Sequence, residues 1–62
     1  MPRPDDKPLF EGSEIIIESS GNLHSSYQYV DYQIGDNRVT MDGVFDAQEL
    51  RAIADYMEKH QG

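Results

Sequence analysis

The sequence predicts an α+β fold: a three-stranded antiparallel β-meander with one C-terminal helix packed on one face, in the order βββα. Three observations predict it. A β-branched run occupies residues 14–18, residues 26–34 alternate with a period of two, and a capped stripe of helical period follows Asp46.

The elements follow in chain order. Residues 1–12 hold all three prolines, Pro2, Pro4 and Pro8, interleaved with charges. Proline removes amide donors and restrains its predecessor, so this segment reads as an extended tail whose end is anchored by Leu9 and Phe10. Residues 13–62 then form a single small domain. Glu14-Ile15-Ile16-Ile17-Glu18 lies between Ser13 and the turn-forming Ser19-Ser20-Gly21-Asn22, which predicts a first strand over 14–19. From 26 to 34, Val30, Tyr32 and Ile34 fall on one face, with Tyr27, Tyr29, Asp31 and Gln33 on the other. Gly35-Asp36-Asn37 follows as a hairpin turn. With Asp36 and Asn37 as loop residues, Ile34 pairs with Val39, and the third strand runs over 38–44 with Val39 and Met41 inward.

Asp46-Ala47-Gln48-Glu49 is a capping box, with Phe45 and Leu50 placed for a hydrophobic staple. Leu50, Ile53, Ala54 and Met57 recur at helical spacing, so a helix is expected over 46–60, its stripe set against Ile15, Ile17, Val30, Ile34, Val39 and Met41. One helix is about 10 Å wide and covers one face of a three-stranded sheet, not both.

Charge and composition narrow the function. Twelve acids oppose five Lys and Arg for a formal charge of -7, and residues 11–62 hold ten of the acids against Arg38, Arg51 and Lys59. A domain that repels itself loses stability, which points to a use for a negative surface; the bland alternative is that the acids only maintain solubility. The acidity argues against direct binding of nucleic acid or of anionic lipid, which require basic surfaces. There is no cysteine, so neither a disulfide nor a thiolate metal site is expected. No apolar run approaches a membrane span and the first residues do not resemble a signal peptide, so a cytoplasmic protein is expected, with no membrane contact.

Catalysis, cofactors and metals are not expected. His24, Ser25 and Asp31 assemble into a catalytic set only on paper, with His24 placed in a Ser-rich turn. Residues 36–43 match a calcium loop only in their acids, since Arg38, followed by Val39, stands at a ligand position and no Glu closes the loop at position twelve. A chain this short also lacks walls for a deep substrate pocket.

The uncovered sheet face is the candidate site. It is expected to present Glu14, Ile16 and Glu18 from the first strand, Tyr27, Tyr29 and Asp31 from the second, and Arg38, Thr40 and Asp42 from the third. Tyrosine gives contact area at low entropic cost, and aromatic anchors in a charged rim are the common hot-spot pattern. The ordinary reading is that Tyr and Ile favour strands wherever they point. Ile16, outward between two Glu, is either part of an interface or covered by the Pro-rich tail. The partner-binding set is thus Glu14, Ile16, Glu18, Tyr27, Tyr29, Asp31 and Asp42. A duplex as long as this domain carries about 16 phosphate charges, against ten carboxylates over residues 11–62. Imitation of DNA is therefore partial.

The stretch Tyr29-Val30-Asp31-Tyr32-Gln33-Ile34-Gly35-Asp36-Asn37-Arg38-Val39, followed by Met41-Asp42 and the acid-flanked helix to Met57, resembles the small anti-CRISPR proteins of bacteriophages and mobile elements. The likeness spans about residues 14–60 and lies in size, acidity, lack of cysteine and element order, with no motif transferred. It implies a host-cytoplasmic inhibitor that blocks the nucleic-acid-binding surface of a Cascade-type (type I) effector or another basic nucleic-acid-binding protein. A monomer or weak homodimer is expected. The alternative from another class is a small regulatory or assembly module that homodimerises through the open sheet face.

Overall fold

The computed structural model describes residues 6–60. It is an α+β fold in which the strands β1 (Lys7–Pro8), β2 (Ile15–Ile17), β3 (Leu23–Ser25), β4 (Tyr29–Asp31) and β5 (Thr40–Asp42) precede the helix α1 (Ala47–Lys59). A three-stranded antiparallel sheet has the order β1-β2-β3, and a further two-stranded antiparallel sheet pairs β4 with β5. The sheets are joined at one bridge, where the Leu23 N–H donates to the Tyr32 carbonyl at 3.0 Å.

The strands at 14–19, 26–34 and 38–44 are shorter than expected, and β1 and β3 were not expected at all. Residues 7–8 of the tail are an edge strand, pairing Lys7 with Ile17 and Pro8 with Ile16. An edge is the place in a sheet where a residue without an N–H is tolerated. The Leu9 N–H then donates to the Ile15 carbonyl at 2.9 Å, and Leu9 packs on the core, as its anchoring role requires. Residues 1–5 of the tail lie outside the described residues.

His24 stands at the centre of β3, not in a turn. The turn is confined to the preceding residues: Glu18 N–H donates to Asn22 O and Gly21 N–H to Glu18 O, both at 2.8 Å. Gly21 has φ +98°, a backbone conformation that favours glycine, and it lies against the Ile34 side chain.

The second hairpin is slipped by two residues from the Ile34–Val39 pairing. Val30 pairs with Met41, Tyr29 with Asp42 and Asp31 with Thr40. The chain turns early, at Ile34-Gly35, where Asp36 N–H donates to Gln33 O at 3.0 Å and Gly35 takes φ +92°. An even slip leaves every side chain on its expected face. Val30 and Tyr32 are buried accordingly, whereas Ile34, placed in the turn, is 44% exposed.

The helix matches its expected position. Asp46 Oδ1 accepts from Glu49 N–H at 2.8 Å, and Glu49 Oε1 accepts from Asp46 N–H at 3.0 Å, completing the capping box. The buried stripe is rotated from the expected one: Ile53 is buried and Met57 and Tyr56 pack on the core, while Leu50 is 50% exposed and Ala54 faces solvent. Tyr56 accounts for the rotation. Its hydroxyl donates to Gly21 O at 2.6 Å and its ring meets Tyr32 edge-on at 6.1 Å, which ties this side of α1 to the sheet. The core is Ile15, Leu23, Val30, Tyr32 and Ile53, on one side of both sheets.

Candidate partner-binding face

Alternation puts Tyr29, Asp31, Thr40 and Asp42 on the outer side of the β4–β5 sheet, because Val30 and Met41 between them point into the core. Tyr29 lies across from Asp42 and two residues from Asp31, and its hydroxyl donates to Asp31 Oδ2 at 3.3 Å. Its ring is still 55% exposed. A tyrosine is therefore presented between two solvent-facing carboxylates, and β4 and β5 carry no basic residue.

Tyr27 extends this face through a turn built by Ser25. The Ser25 Oγ accepts from the N–H groups of Tyr27 and Gln28 at 3.2 and 3.4 Å and donates to Gln28 Oε1 at 3.1 Å. Gln28 Nε2 in turn donates to the Val44 carbonyl at 2.8 Å, fixing the turn to the end of β5. The close approach needs Gly43, where a Cβ would lie 2.8 Å from Gln28 Cβ. The turn holds Tyr27 at 79% exposure, with Val44 at 87%. Continuing the β4–β5 register places these two opposite each other. Val44 was missed by sequence reasoning, although the alternation that turns Thr40 and Asp42 outward in a strand over 38–44 reaches it as well.

The rest of the expected set lies elsewhere. Ile16 is in β2, half-buried, between Pro8 and His24 on the neighbouring strands. The tail residue Pro8 is its neighbour in the sheet and lies beside it. Glu14 is exposed just before β2, and half-buried Glu18 begins the β2–β3 turn. Arg38 is exposed in the loop before β5, beside Asp36 and Asn37. The structure thus brings together Tyr27, Tyr29, Asp31 and Asp42, and leaves Ile16 in β2 of the other sheet with Glu14 and Glu18 at its two ends.

The paper triad does not assemble. Neighbours along a strand face opposite ways, so His24, across from Ile16, and Ser25, across from buried Ile15, lie on opposite sides of β3. Among the described residues no group of three or more His, Cys, Asp or Glu is arranged to hold a metal ion. None of the described helices is long and apolar enough to cross a membrane. A shallow groove of about 530 Å³ runs between the β2–β3 turn and the end of α1, past Lys7, Glu18, Tyr56 and His60. Beside it, burial raises the Tyr56 phenol above its ordinary 10.0, and the neighbouring Tyr32 adds to the effect.

No family model, no curated protein and no solved structure matches this chain.

Proposed function

We propose that this protein docks the outer face of β4–β5 on a basic nucleic-acid-binding surface of another protein and keeps DNA or RNA out of it. The observation behind this reading is the exposed Tyr29 between Asp31 and Asp42, extended by Tyr27 and Val44. An aromatic anchor with carboxylates beside it suits a surface of Lys and Arg, whose charge steers association and whose aliphatic stems pack on the ring. The long dimension of 30 Å allows one basic patch to be occupied rather than a duplex to be copied. Cascade-type CRISPR effectors are the target class implied by the anti-CRISPR likeness. Homodimerisation through this face is the weaker reading, since it sets Asp31 and Asp42 of two copies against each other with no basic residue on either strand.

Competition tests the proposal. Purified Cascade-type effectors, and other basic nucleic-acid-binding proteins, are titrated with their DNA or RNA in the presence of this protein. The expected result is mutually exclusive binding that weakens with salt. Asp31→Lys with Asp42→Lys slows association and flattens the salt dependence without unfolding the chain, while Tyr29→Ala raises the dissociation rate, by about 2 kcal/mol for a hot spot. A ternary complex with nucleic-acid affinity undiminished rules out occupancy.

A further inference from the structure

The β4–β5 sheet has one closed side and one open side. Beyond β4 lies β3, joined through Leu23 and Tyr32, whereas beyond β5 no strand follows among the described residues. The direction of the backbone groups at this edge follows from that bridge. The Tyr32 carbonyl accepts from Leu23, so the main chain of Tyr32 faces β3. In an antiparallel strand successive residues turn their N–H and C=O to opposite sides. Asp31 and Tyr29 therefore face β5, their partners Thr40 and Asp42 face back toward β4, and Met41 turns both its N–H and its C=O outward.

We infer that this open edge accepts an extended basic segment of the partner protein as a third strand, hydrogen-bonded to Met41, with the pattern basic–apolar–basic. The inference rests on the docking function proposed above and names the form of the partner. Three features specify the occupant. Met41 is half-buried at the edge of the core, beside Val39, so the residue paired with it must be apolar to cover the same side. Thr40 and Asp42 lie on the outer side with Asp31 and Tyr29, so the residues flanking that apolar one come to rest by carboxylates and a tyrosine ring, which favours Lys or Arg. A second copy of this chain brings a second charge of -7 to the same edge. Thr40-Met41-Asp42 has neither the proline nor the lysine that commonly blocks an edge, and Asp42 discriminates against strands without positive charge. A sheet of two short strands is also marginal alone, and a third strand is the general remedy.

The test uses the full chain, labelled with ¹⁵N, and two capped peptides of sequence Thr-Arg-Ile-Arg-Thr. One is unmodified; the other carries a methyl group on the Ile nitrogen, which deletes the central donor and preserves the charge. The expected result is that the unmodified peptide slows hydrogen exchange at the Met41 amide by about tenfold or more at saturation, and that N-methylation weakens binding about five- to tenfold. Equal binding of both peptides with Met41 exchange unchanged overturns strand addition, as does failure of the unmodified peptide to bind. Slowing at Met41 by raised protein concentration alone assigns the edge to a second copy and also overturns it. Competition with nucleic acid that persists alongside any of these results leaves the docking function standing. Capture of the peptide at Met41 with no competition at any target removes that function and keeps the edge.

Discussion

The β1–β2–β3 sheet turns Ile15 and Leu23 fully inward and sets Pro8, Ile16 and His24 in a row across its outer side. The β4–β5 sheet turns Val30 inward and leaves Tyr29, Asp31, Thr40 and Asp42 outward in solvent. Both use the same alternation of residues. The difference lies in what flanks the outward positions. Ile16 has a strand on either side of it, while β5 is an edge. Both sheets therefore contribute to the core, and the second also offers an outer surface whose side chains add little to folding. A chain of 62 residues has few buried groups to spare, so separating the two roles in space lets a charged face exist without dismantling the core.

Truncation in the core and on the outer face gives the largest expected contrast. Ile15→Ala removes a fully buried side chain and is expected to cost about 2–5 kcal/mol, enough to unfold much of the population. Tyr27→Ala, at a site 79% exposed, is expected to stay within about 0.5 kcal/mol of the parent. Urea unfolding followed by circular dichroism reads both. Comparable losses would erase the division between the buried side and the outer face.

A smaller effect sharpens the first half of the comparison. Tyr56 fastens α1 to the β2–β3 turn through Gly21 O, and Tyr56→Phe is expected to cost roughly 1 kcal/mol at neutral pH. The phenol titrates above its ordinary 10.0 in the folded protein, so the neutral form is the one that folding favours. The stability it supplies is fully present below pH 10 and is lost as the pH rises through the raised folded value. The gap between parent and Tyr56→Phe should therefore close in alkali. A gap that stays constant to pH 12 would contradict this linkage, because parent and variant differ only in the hydroxyl that titrates.

How much of this was legible in the sequence depends on whether the signal was local. The helix was readable almost to the residue because Asp46 and Glu49 satisfy each other's amides within one turn. The faces of Tyr27 through Tyr32 were readable because period two survives any even slip in register. The register itself was not, since Gly35-Asp36-Asn37 offers several turns and the choice was made at Ile34-Gly35. Strand β3 was hidden for a different reason. Leu23-His24-Ser25 sits among Ser, Gly and Asn, and only the burial of Leu23 against Tyr32 and the pairing with Ile15–Ile17 make it a strand. Likewise the prolines concealed β1, whose place at an edge is a property of the assembled sheet. The candidate face was half legible: Tyr27, Tyr29, Asp31 and Asp42 needed only alternation and meet, whereas placing Glu14, Ile16 and Glu18 beside them required the missing strand.

The smallest expected effect compares two tyrosine hydroxyls, one on each side of the β4 segment. Tyr29 donates to Asp31 in solvent, and an exposed bond of this kind exchanges readily for water, so Tyr29→Phe should leave stability within about 0.5 kcal/mol. Tyr32 is buried, with its ring edge on Tyr56, and its hydroxyl finds no hydrogen-bond partner among the described residues. An unpaired buried hydroxyl opposes folding, so Tyr32→Phe keeps the ring and should be neutral or stabilising by up to about 1 kcal/mol. In a domain this small that corresponds to a rise of several degrees in Tm. The same substitution also removes one of the two influences that raise the Tyr56 phenol, so the alkaline transition should move down in pH. A loss of stability in Tyr32→Phe would mean that its hydroxyl is satisfied in the folded protein, and the core beneath β4 would then owe part of its cohesion to a polar bond.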